Sequence, residues 1–198
     1  MPSHLDKLKK VTNINVIDDT SNVSDYTADV SDGSNLELSS KYILWSHDVY
    51  TKDWNINSYK KMCTICTVAD FWKVFFTFKE KKLDTKFTHY FLMKENVEPI
   101  WEHPTNRNGG ICSFRIEYVR SIKLWKKICA MMVWNVLVND MDDITGASYS
   151  PKNNWAIIKI WNGDCSNDIS SMISKNMKQD YPDISIKYKI NEPEYKYR

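Results

Sequence analysis

Three tryptophans and one glutamate stand out by type and spacing. Trp54 lies in a polar stretch, Trp101 is followed at once by Glu102 in Val97-Glu98-Pro99-Ile100-Trp101-Glu102, and Trp161 follows Ile160. Two indoles on either side of a gap grip a flat cationic ring by stacking plus cation-π attraction, worth roughly 2 kcal/mol or more once water is excluded. A carboxylate beside one of them can accept two hydrogen bonds from adjacent donors on the ring's edge. Guanine methylated at N7 has both properties, a formal positive charge and an N1–H/N2–H₂ edge, whereas an adenine edge offers no such pair of donors. In this chemistry charge selects the methyl group and the carboxylate selects the base.

Other chemistries find little support. Catalysis requires a nucleophile with its base, a carboxylate cluster for a metal, or a glycine-rich phosphate loop. His4, His47, His89 and His103 are scattered among polar neighbours, and Gly109-Gly110 reads as a turn. We therefore expect no enzymatic activity, no cofactor and no metal. Cys63-Thr-Ile-Cys66 has ligand spacing, but no second pair completes a zinc site, and a strand role is expected. The five cysteines form no evident disulfide framework, and no apolar stretch is long enough to cross a bilayer. A reducing, cytoplasmic setting follows as the simplest expectation. With a formal charge of only +2 over 198 residues, no diffuse nucleic-acid surface is expected, so any RNA contact should be local.

The elements that must position these side chains can be read along the chain. Residues 1–35 are polar, with Asp18, Asp19, Asp25, Asp29 and Asp32 in the second half, and read as a flexible tail. The chain of 198 residues has 42% apolar content, enough for one domain with a substantial core, and residues 36–198 read as that domain. Lys41 to Trp45 predicts a strand, and Asp48 to Asn57 a loop carrying Trp54. Thr67 with Asp70 three residues on forms a variant capping box, which starts a helix at Val68. Further strands are predicted at Phe87 to Met93, at Ile111 to Val119 and at Ile184 to Ile190, with Val97 to Glu102 a strand end or loop. Trp125, Ile128, Cys129, Met132 and Val136 give the stripe of a helix over Ser121 to Asn139. Gly146 to Ser150 and Trp155 to Trp161 form a hairpin around Pro151 to Asn154, and Ile169 to Asp180 a third helix. Strands and helices mix without regular βαβ spacing, so the class is α+β. Trp45, Trp125 and Trp134 sit on apolar faces and are assigned to packing.

The ordered set of Leu44-Trp45, Trp54, Thr67 to Trp72, Glu98 to Glu102 with Gly109-Gly110, Gly146-Ala147 and Ile160-Trp161 resembles the translation initiation factor 4E family, from about Leu36 to Ile190. The resemblance implies a curved antiparallel sheet of about eight strands with three helices on its convex face and a slot for the mRNA 5′ cap on its concave face. It further implies that Trp54 and Trp101 stack on the cap base, that Glu102 reads the guanine edge, and that Trp161 lies against the N7 methyl group. On the convex face, Val68 and Trp72 match residues that receive a helical motif of a 4G-like scaffold or a 4E-binding protein. The expected partners are thus capped mRNA and one such protein, with the chain itself a monomer.

The sequence also departs from the family pattern. Ile111 replaces the Arg that follows the double glycine, and Ile157 replaces a phosphate-binding Lys, while Lys152 keeps the other basic position. By period-2 alternation Lys159 shares the face of Trp161 and can substitute, and Arg107, Lys187 and Lys189 are looser candidates for the cap phosphates. On the convex side Lys126 stands where an apolar residue is usual and Lys127 where a Glu is usual, a charge reversal that favours an acidic partner. Two functions fit these residues: a cap-binding factor that recruits a scaffold for initiation, or a cap-binding repressor that does not recruit ribosomes.

Overall fold

Ala156, Ile158 and Ile160 enter one apolar core while Trp161, on the same strand, enters another. This period-2 sorting of side chains to the two faces of a sheet organises the molecule. The computed structural model describes residues 36–80 and 83–193. In chain order the elements are β1 (Glu37–Asp48), β2 (Lys60–Thr67), α1 (Val68–Lys79), β3 (Thr88–Lys94), β4 (Gly110–Glu117), α2 (Tyr118–Val133), β5 (Ile144–Lys152), β6 (Trp155–Asn162), α3 (Ser170–Lys178) and β7 (Ser185–Ile190). A single 3₁₀ turn, Ile56–Ser58, interrupts the loop between β1 and β2. The strands form one curved antiparallel sheet of seven strands in the order β2-β1-β3-β5-β6-β4-β7. The expected α+β class and the three helices are found; the strand count among the described residues is seven rather than eight. The tail expected over residues 1–35 lies outside the described residues.

The larger core lies between the helices and the convex face, where Phe71, Phe75 and Phe78 of α1 and Leu124, Trp125, Ile128 and Met132 of α2 meet Tyr42, Leu44, Phe114 and Tyr149 of the sheet. The smaller one lines the concave face and contains Ile43, Trp45, Phe91, Met93, Ile111 and Trp161. Trp45 and Trp125 are thus packing residues, as expected, although Trp45 packs on the concave side.

Local chemistry explains where the boundaries fall. The Thr67 hydroxyl accepts from the Asp70 backbone N–H at 3.1 Å and the Asp70 carboxylate accepts from the Thr67 N–H at 3.1 Å, a complete capping box that starts α1 at Val68. Helix α2 differs from its expected range at both ends. It begins at Tyr118, inside the segment expected to be strand, and it stops at Val133. Asn135 adopts a left-handed φ of 56°, its N–H donates to the Met132 carbonyl and the Val136 N–H to the Met131 carbonyl, the two bonds of a Schellman stop. Val136, counted in the helical stripe from its spacing, is consequently outside the helix and exposed. The β5–β6 hairpin is tighter than expected: Pro151 and Lys152 remain in the strand, and the turn is Asn153-Asn154, with Asn153 at φ 42°. Gly109-Gly110 is not a left-handed turn. A Cβ on Gly109 would lie 1.8 Å from the Asn162 carbonyl oxygen, and one on Gly110 2.2 Å from the Tyr188 hydroxyl, so close approach is what requires glycine there.

Candidate functional site

Two loops and one hairpin converge on the concave face. Trp54 comes from the β1–β2 loop, Trp101 and Glu102 from the β3–β4 loop, and Lys159 and Trp161 from β6, and all five line one cavity of about 290 Å³. Phe91 and Tyr59 complete its apolar wall. Neither indole of the expected stacking pair is locked into the interior: Trp54 is 49% exposed and Trp101 is half-buried. Glu102 is buried, with its side chain at the cavity wall. Trp161 is almost fully buried, and its indole N–H donates to the Ser148 hydroxyl at 3.0 Å, which fixes the ring at the cavity floor.

The supports of these side chains were not visible in the sequence. His47 and His89 are cross-strand partners on β1 and β3, 6.0 Å apart between ring centroids. The His47 ring stacks on Trp54 at 4.3 Å and 12°. Its Nε2 lies 2.8 Å from the Asp53 carbonyl and 3.1 Å from the Ser58 hydroxyl. A carbonyl only accepts, so this nitrogen carries the hydrogen. His47 therefore holds both the indole and the loop that bears it. Its alternation with Ile43 and Trp45 along β1 was the available signal, but the pairing with His89 depends on strand register. On the other side, the buried Asn106 side-chain amide donates to the Glu98 and Ile100 carbonyls, each at 2.9 Å, and the Asn106 backbone carbonyl accepts from the Asn191 side-chain amide at 2.8 Å. This pins the short segment that presents Trp101 and Glu102.

The cations are unevenly placed. Lys159 reaches the cavity, on the face its alternation with Trp161 predicts. Burial, followed by the nearby ammonium groups of Lys152 and Lys189, lowers its pKa from the ordinary lysine value. Burial, then the positive charges of His47, Lys152 and Lys159, lowers that of His89 to about 4. Lys152 thus stands close to both. The Lys189 ammonium lies 5.9 Å from the Trp101 ring centroid and pairs with Glu192 at 3.1 Å. Arg107 is exposed on the turn after Glu102 and is not part of the cavity wall. Ile111 and Ile157, where the family resemblance leads one to expect cations, both lie on the concave face, Ile111 within its apolar cluster.

On the convex side, Trp72 projects from α1 with 44% of its surface exposed. It rests edge-on against Phe71 and 6.0 Å from Trp134, and the Lys126 ammonium lies 5.5 Å from its ring centroid. Val68 is half-buried one turn earlier, and Phe76, one turn later, is exposed. Lys127 points away to a short ion pair with Asp180. Its charge is therefore partly neutralised, which the sequence did not reveal.

All five cysteines are free thiols, with Cys63 and Cys66 on β2. Among the described residues no group of three or more His, Cys, Asp or Glu is arranged to hold a metal, and no helix is long and apolar enough to cross a membrane.

Comparison with known proteins bears on the fold and the family. The chain is 33% identical over 107 residues to eukaryotic translation initiation factor NCBP of Arabidopsis thaliana, a match covering 54% of this chain and 48% of that protein, so it spans about half of that relative's length. The fold is shared with Ascaris suum eIF4E-3 solved with an m7G cap (TM-score 0.68, 20% identity, 80% of this chain and 92% of that one). It is likewise shared with Caenorhabditis elegans eIF4E-3 solved with the 4E-binding protein Mextli and a cap analogue (TM-score 0.67, 19% identity, 81% and 98%). The sequence model described as Eukaryotic initiation factor 4E matches residues 37–197, and the chain belongs to that family.

Proposed function

We propose that the protein binds the 7-methylguanosine 5′ cap of mRNA, with the methylated base stacked between Trp54 and Trp101. In this reading the Glu102 carboxylate accepts from N1–H and N2–H₂, Trp161 lies against the N7 methyl group, and Lys159 with Lys152 faces the phosphates. The observation that carries it is the single cavity in which two accessible indoles, a carboxylate and a lysine converge. Solved relatives of the same fold holding a cap or cap analogue support it. With isoleucines at two cation positions, stacking supplies most of the affinity and the salt dependence is shallow.

The test is a fluorescence titration with 7-methyl-GTP and with GTP, on the parent protein and on Trp101→Ala and Glu102→Ala. The methylated ligand should bind more tightly, and both variants should lose that preference. Equal affinity for the two nucleotides in the parent would end this reading.

The convex face, with Val68, Trp72 and Lys126, is proposed to take a helical segment of a 4G-like scaffold, which would make the protein an initiation factor that recruits ribosomes. The relative solved with Mextli supports protein docking in this fold. One observation favours the repressor alternative. Arg120, Lys123, Lys126 and Lys127 line a groove beside α2; Arg120 pairs with Asp183 and Lys127 with Asp180, and the surface keeps an excess of cations suited to an acidic partner. Recovery of a 4G-like scaffold from extract, with loss in Trp72→Ala and unchanged cap binding, supports recruitment. Intact cap binding without scaffold recovery supports repression.

A further inference from the structure

The concave face continues beyond the cavity. Along β6 the residues that share the face of Trp161 run through Lys159 and Ile157 to Trp155. The strand register sets Ser113 of β4 beside Lys159 and Arg115 beside Ile157, while β7 brings Lys189 beside Ile111 and Lys187 beside Ser113. Four cations, Lys189, Lys159, Lys187 and Arg115, therefore form a row leading from the cavity to Trp155, at the turn end of the β5–β6 hairpin. Two carboxylates oppose the row, Glu192 paired with Lys189 and Glu117 opposite Trp155.

Trp155 belongs to neither apolar core. The Arg115 guanidinium carbon sits 4.3 Å from its ring centroid, and the residue still leaves 38% of its surface in solvent. An indole supported by a guanidinium, presented to water at the end of a row of ammonium groups, is the arrangement by which single-stranded nucleic acid is held, with cations following the backbone and an aromatic face stacking a base. The molecule's small net charge of +2 makes this row a local feature rather than part of a generally basic surface.

We propose that this strip binds the RNA strand that follows the cap, with Trp155 as the stacking platform for a base among the first few transcribed nucleotides. The inference rests on the cap reading only for the direction of the strand. From Lys159 to Trp155 is about 13 Å at ~3.3 Å per residue, a span of a few nucleotides at ~3.4 Å of rise each.

Calorimetric titration with four probes tests it: GTP, 7-methyl-GTP, a capped adenine-rich pentaribonucleotide, and the same pentaribonucleotide without a cap. The parent should bind the capped oligonucleotide roughly five- to tenfold more tightly than 7-methyl-GTP, as expected for one added base–indole stack. Trp155→Ala should erase that gain and leave the 7-methyl-GTP affinity unchanged, whereas Trp155→Phe should keep most of it. Arg115→Gln should reduce the gain and the salt slope by about 0.7, the share of one phosphate contact to a single strand. A capped oligonucleotide that binds no better than 7-methyl-GTP, or a gain that survives in Trp155→Ala, overturns the proposal while leaving the cap reading intact. Trp155-dependent binding of the uncapped oligonucleotide, without preference for 7-methyl-GTP over GTP, upholds the strip and removes the cap reading. No binding of any probe defeats both.

Discussion

Replacing His47 by alanine should weaken cap binding although His47 is not part of the cavity wall. Its ring backs Trp54 at 4.3 Å, and its Nε2 holds the Asp53 carbonyl at 2.8 Å, so both contacts restrain the loop that carries the indole. A stacked ring pair contributes about 0.5–1.5 kcal/mol beyond area burial, and a net hydrogen bond about 1 kcal/mol. The Asp53 carbonyl keeps a second donor, the Ser58 hydroxyl at 2.8 Å, so no orphaned acceptor adds to the loss. The sum, about 2 kcal/mol, lowers the population of loop conformers that present Trp54, and apparent affinity falls with that population, by up to roughly thirtyfold. His47→Phe keeps a stacking ring and loses only the polar contact, so a fall of about fivefold is expected. Calorimetric titration with 7-methyl-GTP reads the affinities, and hydrogen exchange across residues 49–59 reads the loop. If His47→Ala lowers thermal stability while 7-methyl-GTP affinity stays within about twofold, the ligand itself orders Trp54 and the reasoning fails.

Further expectations concern charge and packing. Lys159→Gln should lower 7-methyl-GTP affinity and flatten the plot of log affinity against log salt by about one contact, whereas Arg107→Gln, which lies off the cavity wall, should change neither. His89 has its pKa pushed down from 6.5 to about 4, so the unfolded chain binds the extra proton between those values. Its contribution is fully present above pH 6.5 and is lost as pH falls toward about 4, by up to about 3 kcal/mol; His89→Phe should flatten denaturant midpoints across that window. Gly109→Ala forces a methyl against the Asn162 carbonyl and should cost about 1–3 kcal/mol, read as a lower urea midpoint with an unchanged slope.

What was legible in the sequence was mostly what depends on near neighbours along the chain. The start of α1 followed from Thr67 and Asp70 because a capping box closes within one helical turn. The placement of Lys159 beside Trp161 followed from alternation, a property of one strand. Features that depend on which strands lie side by side were hidden: the His47–His89 pair, the Asn106–Asn191 contact under the Trp101 loop, and the Lys127–Asp180 bridge. Helix α2 ends earlier than its spacing predicts because Val136 fits the helical stripe and only the left-handed conformation at Asn135 stops the helix. Gly109-Gly110 reads as a turn in the sequence because glycine serves tight turns and close contacts alike, and only the facing carbonyl and hydroxyl distinguish the two.

The separation of the two sheet faces has a consequence for how such a protein diverges. Ile111 and Ile157 alternate with Cys112 and Ile158, which belong to the helix-side core, so a change of side chain on the concave face leaves that helix-side core untouched. Binding chemistry and folding are in that sense edited on opposite sides of one ribbon. A lineage can shed or relocate its anion contacts one side chain at a time while the scaffold beneath keeps its register.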